Sequence, residues 1–228
     1  VVYAMTNSLS VKESSRVNNF AHVNYKKGND PRIGKLLCIN GAGIQYRWLL
    51  NNLSVSSYEE MNNLASDIPV GSDGVCMIPF GNGAERMLNS KDIGTRLVNI
   101  NLNNHNKAHI CRAALEGIAF SFVYGMEIMK SDGIEVKVMR AGNDNLFRSE
   151  IFSNTVATLI GHEIEIYNTT GAIGAARASG LHEGDFETFG KYITDNDHVM
   201  TYMPFKDKQP YLEAYQLWKN ELELIINK

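Results

Sequence analysis

Three short segments of this 228-residue chain combine glycine with side chains that can hydrogen-bond a ligand. They are the run NGAGIQ at residues 40–45, the run AGNDN at 141–145 and the run TTGAIGAARASG at 169–180. Each lies where residues typical of a β-strand give way to residues typical of a helix. Glycine lets backbone N–H groups approach a phosphate closely, and the start of a helix favours negative charge. Together the segments indicate a phosphate or nucleotide site, whereas any one alone is also explained as a strand-to-helix turn.

Hydrophobic periodicity predicts the elements that hold these segments. Strands are expected at residues 1–6, 20–25, 35–39, 75–80, 134–140 and 162–167. Helices are expected after residue 43, at 58–66, 107–130 and 149–160, and from 210 to near the end of the chain. In the first helix, Ile44, Trp48 and Leu49 are expected to form one apolar stripe against a sheet.

Several residues mark where these helices begin, end and pack. Ser57 followed three residues later by Glu60 predicts a capping box at the start of the second helix. Gly133 is expected to end the long helix, while Gly117 and Gly125 within it lower helix propensity and allow close packing. The final helix is expected to cover a face of the sheet.

The order of these elements predicts one α/β domain over residues 1–228. Strands come first, then a helix and an insertion, then alternating helices and strands. This order suits the ribonuclease-H-like fold of the actin, Hsp70 and sugar-kinase type, with a mixed sheet, flanking helices and ligand loops on one sheet edge. A fold alone does not define a function.

Composition excludes some classes of function. The formal net charge of −3 argues against a nucleic-acid partner, because phosphate-backbone binders carry a basic excess. No apolar run approaches the roughly 18 to 20 residues that span a bilayer, and no signal peptide is evident, so we expect no membrane partner and a cytoplasmic location. Cys38, Cys76 and Cys111 lie far apart among apolar neighbours and are expected to be buried free thiols.

Four runs of the sequence resemble the FGGY family of carbohydrate kinases, and the similarity extends from residue 1 to about residue 184. The helical run HICRAALEGIAF at 109–120 resembles a family signature, and GNGAER at 81–86 resembles its Gly-Glu-Arg loop. The runs AGNDNLFRSEIF at 141–152 and TTGAIGAARASG at 169–180 resemble its nucleotide loop and its Gly-Ala-rich helix. Ala141 and Asn143 depart from the family, which commonly has glycine there.

This resemblance implies ATP-dependent phosphorylation of a sugar or polyol, with D-xylulose as the first candidate substrate and Mg²⁺ bound together with ATP. In the family, a general-base aspartate lies in an N-terminal lobe, so no catalytic residue and no metal ligand is assigned in this chain. The chain is expected to be the C-terminal nucleotide-binding lobe of a protein about twice as long, and to be inactive alone. A homodimer is left open.

The resemblance also implies a role for each candidate residue. Gly41 and Gln45 are expected near the adenosine or ribose, and Gly171 and Gly174 beneath the adenine. The residues expected along the ribose and phosphates are Ala141, Gly142, Asn143 and Asn145. Gluconate, ribulose and glycerol remain alternative substrates, and a nucleotide-binding module without catalysis remains an alternative function.

Other polar residues have simpler interpretations. His105 and His109 are four residues apart, but Asn106 replaces the glutamate of the metalloprotease pattern, so surface or capping roles are expected. Glu116 and Glu127 on the long helix are expected to form solvated or interlobe ion pairs of little energy.

Overall fold

The structure of the protein, a computed structural model, describes residues 2–7, 12–22, 32–182 and 185–228, apart from the side chains of residues 186 and 187. Its strands are β1 (Val2–Thr6), β2 (Asn18–Ala21), β3 (Ile33–Leu37), β4 (Cys76–Phe80), β5 (Gly94–Val98), β6 (Met139–Gly142), β7 (Ile164–Tyr167) and β8 (His198–Tyr202). Its helices are α1 (Ala42–Asn52), α2 (Tyr58–Ser66), α3 (Lys107–Ser131), α4 (Glu150–Ile160), α5 (Gly171–Ala178), α6 (Asp185–Asn196) and α7 (Gln209–Ile226). Residue 1 and residues 23–25, which belong to two predicted strands, lie outside the described residues.

The described strands form three sheets. The first has the antiparallel order β1-β3-β2, and the second is the antiparallel pair β4-β5. The third has the order β6-β7-β8 and is mixed, because β6 and β7 run parallel while β7 and β8 run antiparallel. The α/β class is confirmed, but no described strand joins the three sheets into one.

Helix α3 forms the centre of the core. It contacts α2, α4 and β4, and it buries apolar residues on several faces, including Leu115 and Ile118. A Cβ at Gly117 would lie 2.0 Å from the carbonyl oxygen of Met77, which confirms the close packing predicted for that glycine. The helix ends as predicted at Gly133, whose φ of 86° is easily adopted only by glycine.

Helix α7 completes the core, as its periodicity predicts. Its Tyr215, Trp218 and Leu222 are buried, and the indole N–H of Trp218 donates to the carbonyl oxygen of Met77 at 2.9 Å. The helix therefore covers strand β4 and one side of α3. Among the described residues, no helix is both long enough and apolar enough to cross a bilayer.

The predicted apolar stripe of α1 is wrong at two positions. Ile44 is 50% exposed and Trp48 is 59% exposed, whereas Ala42, Gln45, Tyr46 and Leu49 are buried. Positions 42, 46 and 49 share a helical spacing of their own, and the Tyr46 ring stacks on Tyr58 at 5.4 Å between centroids. The face of α1 that carries Ala42, Tyr46 and Leu49 therefore packs on the core, and the contact between Tyr46 and Tyr58 belongs to that packing.

Two further sequence interpretations need correction. Ser57 accepts the Glu60 backbone N–H at 3.1 Å, but the Glu60 carboxylate accepts the N–H of Ser56, so only half of the capping box forms as predicted. Glu116 is 2% exposed rather than solvated, and it accepts from Arg112 Nε at 2.7 Å and from the Gly71 N–H. Burial raises the pKa of Glu116, and Arg112 opposes that shift.

Candidate functional site

The second and third glycine-containing segments meet at one end of the mixed sheet. Strands β6 and β7 run parallel, so their carboxyl ends share an edge. The Asn143 N–H donates to the carbonyl oxygen of Tyr167 at 2.8 Å, and a Cβ at Gly142 would lie 2.4 Å from the carbonyl oxygen of Thr169. Ala141 and Gly142 are the last residues of β6, so the loop itself starts at Asn143.

Asn145 forms the tip of this loop. Its φ is +49°, a left-handed conformation that asparagine tolerates better than most residues, and its side chain is exposed. A short 3-10 turn, Asn145–Arg148, then leads into α4, whose first turn is capped by the Ser149 hydroxyl accepting from the Phe152 N–H. This geometry holds Asn145 at the surface beside the start of α4.

The third segment forms the first turns of α5. Thr170 caps the helix by accepting the Ile173 N–H at 3.2 Å. A Cβ at Gly171 or Gly174 would meet no described atom within 4 Å, and neither residue has a positive φ. The space above this face of α5 is therefore open among the described residues, and their packing does not require glycine at either position.

The first segment is held by a residue that the chemical reasoning on the sequence did not single out. Glu85 is fully buried, and its Oε1 accepts from the Gly41 N–H at 2.8 Å while its Oε2 accepts from the Asn40 N–H at 3.1 Å. Burial raises the pKa of Glu85, and the two backbone hydrogen bonds oppose that shift. A Cβ at Gly41 would lie 2.0 Å from the carbonyl oxygen of Pro79, so this glycine is also required by packing.

Two buried polar groups on α1 lack partners among the described residues. The Gln45 side chain is 5% exposed, and neither its amide nitrogen nor its amide oxygen has a hydrogen-bond partner there. The Tyr46 hydroxyl is likewise without a partner. Because unsatisfied buried polar groups are costly, both groups favour a polar ligand close to α1.

A cleft of about 940 Å³ separates α1 and α2 from the turn before α4. Its lining includes Gly43, Tyr46 and Tyr58 on one side and Asn145 and Arg148 on the other. The cleft therefore joins the first segment to the second, while Asn143 and Gly142 join the second to the third. Of the predicted site residues, only Asn145 is among the described residues that line the cleft. The others, Gly41, Gln45, Ala141, Gly142, Asn143, Gly171 and Gly174, lie outside this lining.

The two histidines make capping contacts. His105 Nδ1 accepts from the Asn101 N–H at 2.9 Å, and His109 Nδ1 accepts from the Asn106 N–H at 3.3 Å at the start of α3. His109 Nε2 faces Asp73 at 3.2 Å. Within the part of the chain that the structure describes, no three His, Cys, Asp or Glu side chains group as a metal site.

Comparison with known proteins connects this geometry to one group of enzymes. Residues 19–181 match the C-terminal domain of the FGGY family of carbohydrate kinases. A xylulose kinase of Haemophilus influenzae is 26% identical over 195 residues, which cover 82% of this chain and 38% of that protein. The chain thus spans well under half the length of this relative.

Solved structures share the fold. A ligand-bound xylulose kinase from Lactobacillus acidophilus matches with a TM-score of 0.77 and 17% identity, over 98% of this chain and 45% of that one. A Plasmodium falciparum glycerol kinase with ADP matches with a TM-score of 0.75 and 17% identity, over the same shares of the two chains. At these identities the likeness defines the ribonuclease-H-like sugar-kinase fold and not a substrate.

Proposed function

Because the chain belongs to the FGGY family of carbohydrate kinases, we propose that it supplies the nucleotide-binding half of an enzyme that phosphorylates a sugar or polyol with ATP. The main support is that the family match, residues 19–181, includes all three glycine-containing segments. The fold places the second segment against the third and joins it to the first through one cleft. We propose that one nucleotide contacts all three.

The groups on the chain fit a nucleotide. The Gln45 amide, buried without a described partner, can both donate to and accept from a ribose hydroxyl or the base. Asn143 and Asn145, with the backbone of Ala141 and Gly142, would lie along the ribose and phosphates. The open face of α5 at Gly171 and Gly174 leaves room for the flat adenine ring. Gly41 holds the turn beside the nucleoside.

Mg²⁺ would arrive with ATP and be held chiefly by phosphate oxygens and water, as this ion commonly is. Bound ATP and Mg²⁺ supply the phosphoryl group and neutralise part of its charge. The chain's contribution is orientation, because phosphoryl transfer is catalysed largely by positioning and electrostatic stabilisation. We assign no general base in this chain, and propose that an N-terminal lobe of the same protein provides it together with the sugar site.

Among substrates we propose D-xylulose first, since proteins named xylulose kinases are among both the sequence relatives and the structural neighbours. Glycerol and gluconate kinases are also among the similar proteins, which keeps those acceptors as alternatives. A module that binds nucleotide without transfer is the second candidate. It is favoured only if no acceptor is phosphorylated.

A coupled assay of ADP formation tests the proposal. The full-length protein is given Mg·ATP with xylulose, ribulose, gluconate or glycerol in turn. We expect acceptor-dependent ADP formation with at least one of them, fastest with xylulose. The 228-residue chain alone should show none, because the proposed general base lies outside it. Nucleotide binding without turnover on any acceptor would favour the non-catalytic module, and sugar-dependent turnover by the chain alone would contradict the proposed division of roles.

A further inference from the structure

The loop that carries Glu85 and Arg86 connects two parts of the molecule. Glu85 turns inward, where both of its carboxylate oxygens accept backbone N–H groups from the turn that starts α1. Arg86 points the other way and donates to the carbonyl oxygens of Ser14 and Ser15, at 2.8 and 3.1 Å. Adjacent residues therefore fix different segments, and among the described contacts only those of Glu85 reach the candidate ligand site.

Glu85 occupies two backbone donors just before the start of α1. The first turn of a helix favours an anion, because its N–H groups lack partners within the helix. Here the anion is internal, since Glu85 accepts from the N–H groups of Asn40 and Gly41. These two donors are thus occupied and are not available to a nucleotide phosphate. The turn can still offer a ligand the N–H groups of residues 42–44, which have no partner within the helix, and the side chain of Gln45.

Gly41 is confined from the other side as well. Its α-carbon lies so close to strand β4 that a Cβ would fall 2.0 Å from the Pro79 carbonyl oxygen and 2.9 Å from the Phe80 Cα. The Glu85 carboxylate and the β4 backbone together hold the turn from two directions. The orientation of α1, and with it the buried Gln45 amide, depends on both contacts.

We propose that Glu85 is a positioning residue for the nucleoside half of the ligand, acting through the backbone of Asn40 and Gly41 rather than by touching the nucleotide. This inference rests on the proposed function, since it assumes that the nucleoside lies beside α1. It predicts that loss of the carboxylate weakens nucleotide binding while leaving the sugar site and phosphoryl transfer intact.

The test compares Glu85→Gln with Arg86→Lys in the full-length protein. The Glu85→Gln change replaces one acceptor oxygen by an NH₂ group that faces a backbone N–H donor, so the turn must shift. We therefore expect the Kd of Mg·ATP to rise about tenfold or more. We expect the KM of ATP to rise similarly, with kcat at saturating ATP and the KM of the sugar little changed. Arg86→Lys should lower thermal stability yet leave the Kd of Mg·ATP within about twofold.

The possible outcomes separate this inference from the proposed function. If the wild-type protein does not bind Mg·ATP, the proposed function fails. If the wild type binds it and folded Glu85→Gln binds equally well, or if Arg86→Lys weakens binding to the same degree, the positioning role fails. Glu85→Asp, which keeps the charge but shortens the side chain, replaces Glu85→Gln if the latter does not fold. Amide hydrogen exchange of wild-type Asn40 and Gly41 gives an independent check, because rapid exchange without nucleotide would overturn the inference.

Discussion

The indole N–H of Trp218 and the carbonyl oxygen of Met77 form a 2.9 Å hydrogen bond between residues 141 positions apart in the sequence. Gly117 of α3 packs against the same carbonyl oxygen. Helices α3 and α7 therefore both contact strand β4 at the carbonyl oxygen of Met77. The same strand continues to Pro79, which packs against Gly41, so the core and the candidate site share strand β4.

Replacing Trp218 by Phe should destabilise the fold by about 2 kcal/mol or more, because it leaves the buried Met77 carbonyl without a donor and opens a cavity. Trp48→Phe is the matched control. Trp48 is 59% exposed, so its change should stay within about 0.5 kcal/mol. Urea unfolding followed by circular dichroism measures both, and equal midpoints for the two variants would show that the Trp218 contact contributes nothing.

Gly117→Ala should destabilise the protein although alanine is the better helix former by about 1 kcal/mol. The added Cβ would lie 2.0 Å from the Met77 carbonyl oxygen, so α3 or β4 must move. Gly190 in α6 provides the opposite case, because a Cβ there meets no described atom within 4 Å. Gly190→Ala should therefore stabilise by about 0.5 to 1 kcal/mol. Melting temperatures that shift in the same direction for both variants would contradict this packing.

Local patterns predicted those elements in which periodicity and end signals agree. Helix α2 begins at a serine cap, α3 ends at a left-handed glycine, and α7 carries its apolar residues in register. The exposed face of α1 could not be predicted this way, since two helical stripes compete there and the Tyr46 to Tyr58 contact favours one. Helix α6 and strand β8 were not predicted, although the half-buried Phe189 and Ile193 of α6 stand at helical spacing, so the periodicity of this segment was overlooked.

The candidate site was predicted in outline but not in its internal contacts. Glycine spacing indicated three segments, and two of the three meet directly. The role of Glu85 depends on its contact with Gly41, which is 44 positions away in the sequence, and nothing in the local sequence specifies that contact. Likewise, Gly142 was expected to admit a ligand, whereas its contact with Thr169 shows that packing alone already requires glycine.

The three cysteines should react at different rates. Burial raises the pKa of Cys76 to about 12 and that of Cys111 to about 11, so both remain protonated and shielded at neutral pH, whereas Cys38 is only half-buried. Brief alkylation of the native protein followed by peptide mass spectrometry should label Cys38 first. A Cys38→Ser variant should then remain almost unlabelled until denatured, and rapid native labelling of Cys76 or Cys111 would contradict the buried assignment.

Gly142→Val should weaken Mg·ATP binding more than any polar substitution in the same loop. A Cβ at position 142 would lie 2.4 Å from the Thr169 carbonyl oxygen, so valine must separate the two segments proposed to hold the nucleotide. The comparison is Asn145→Gly, which removes the side chain without straining the +49° φ and should lose about 0.5 to 1.5 kcal/mol of binding. Calorimetric titration decides, and equal affinities for Gly142→Val and the wild type would show that the site lies in another loop.

The most direct test of the central claim is a crystal structure of the full-length protein with Mg·ADP. We predict that the adenosine contacts Gln45 and the face of α5 at Gly171 and Gly174, with the ribose and phosphates along the loop from Ala141 to Asn145. The Glu85 carboxylate should still bind the N–H of Gly41, with no phosphate in its place. The account would be contradicted by a nucleotide bound away from all three segments, provided that the affinity measured in solution shows the same site to be occupied there.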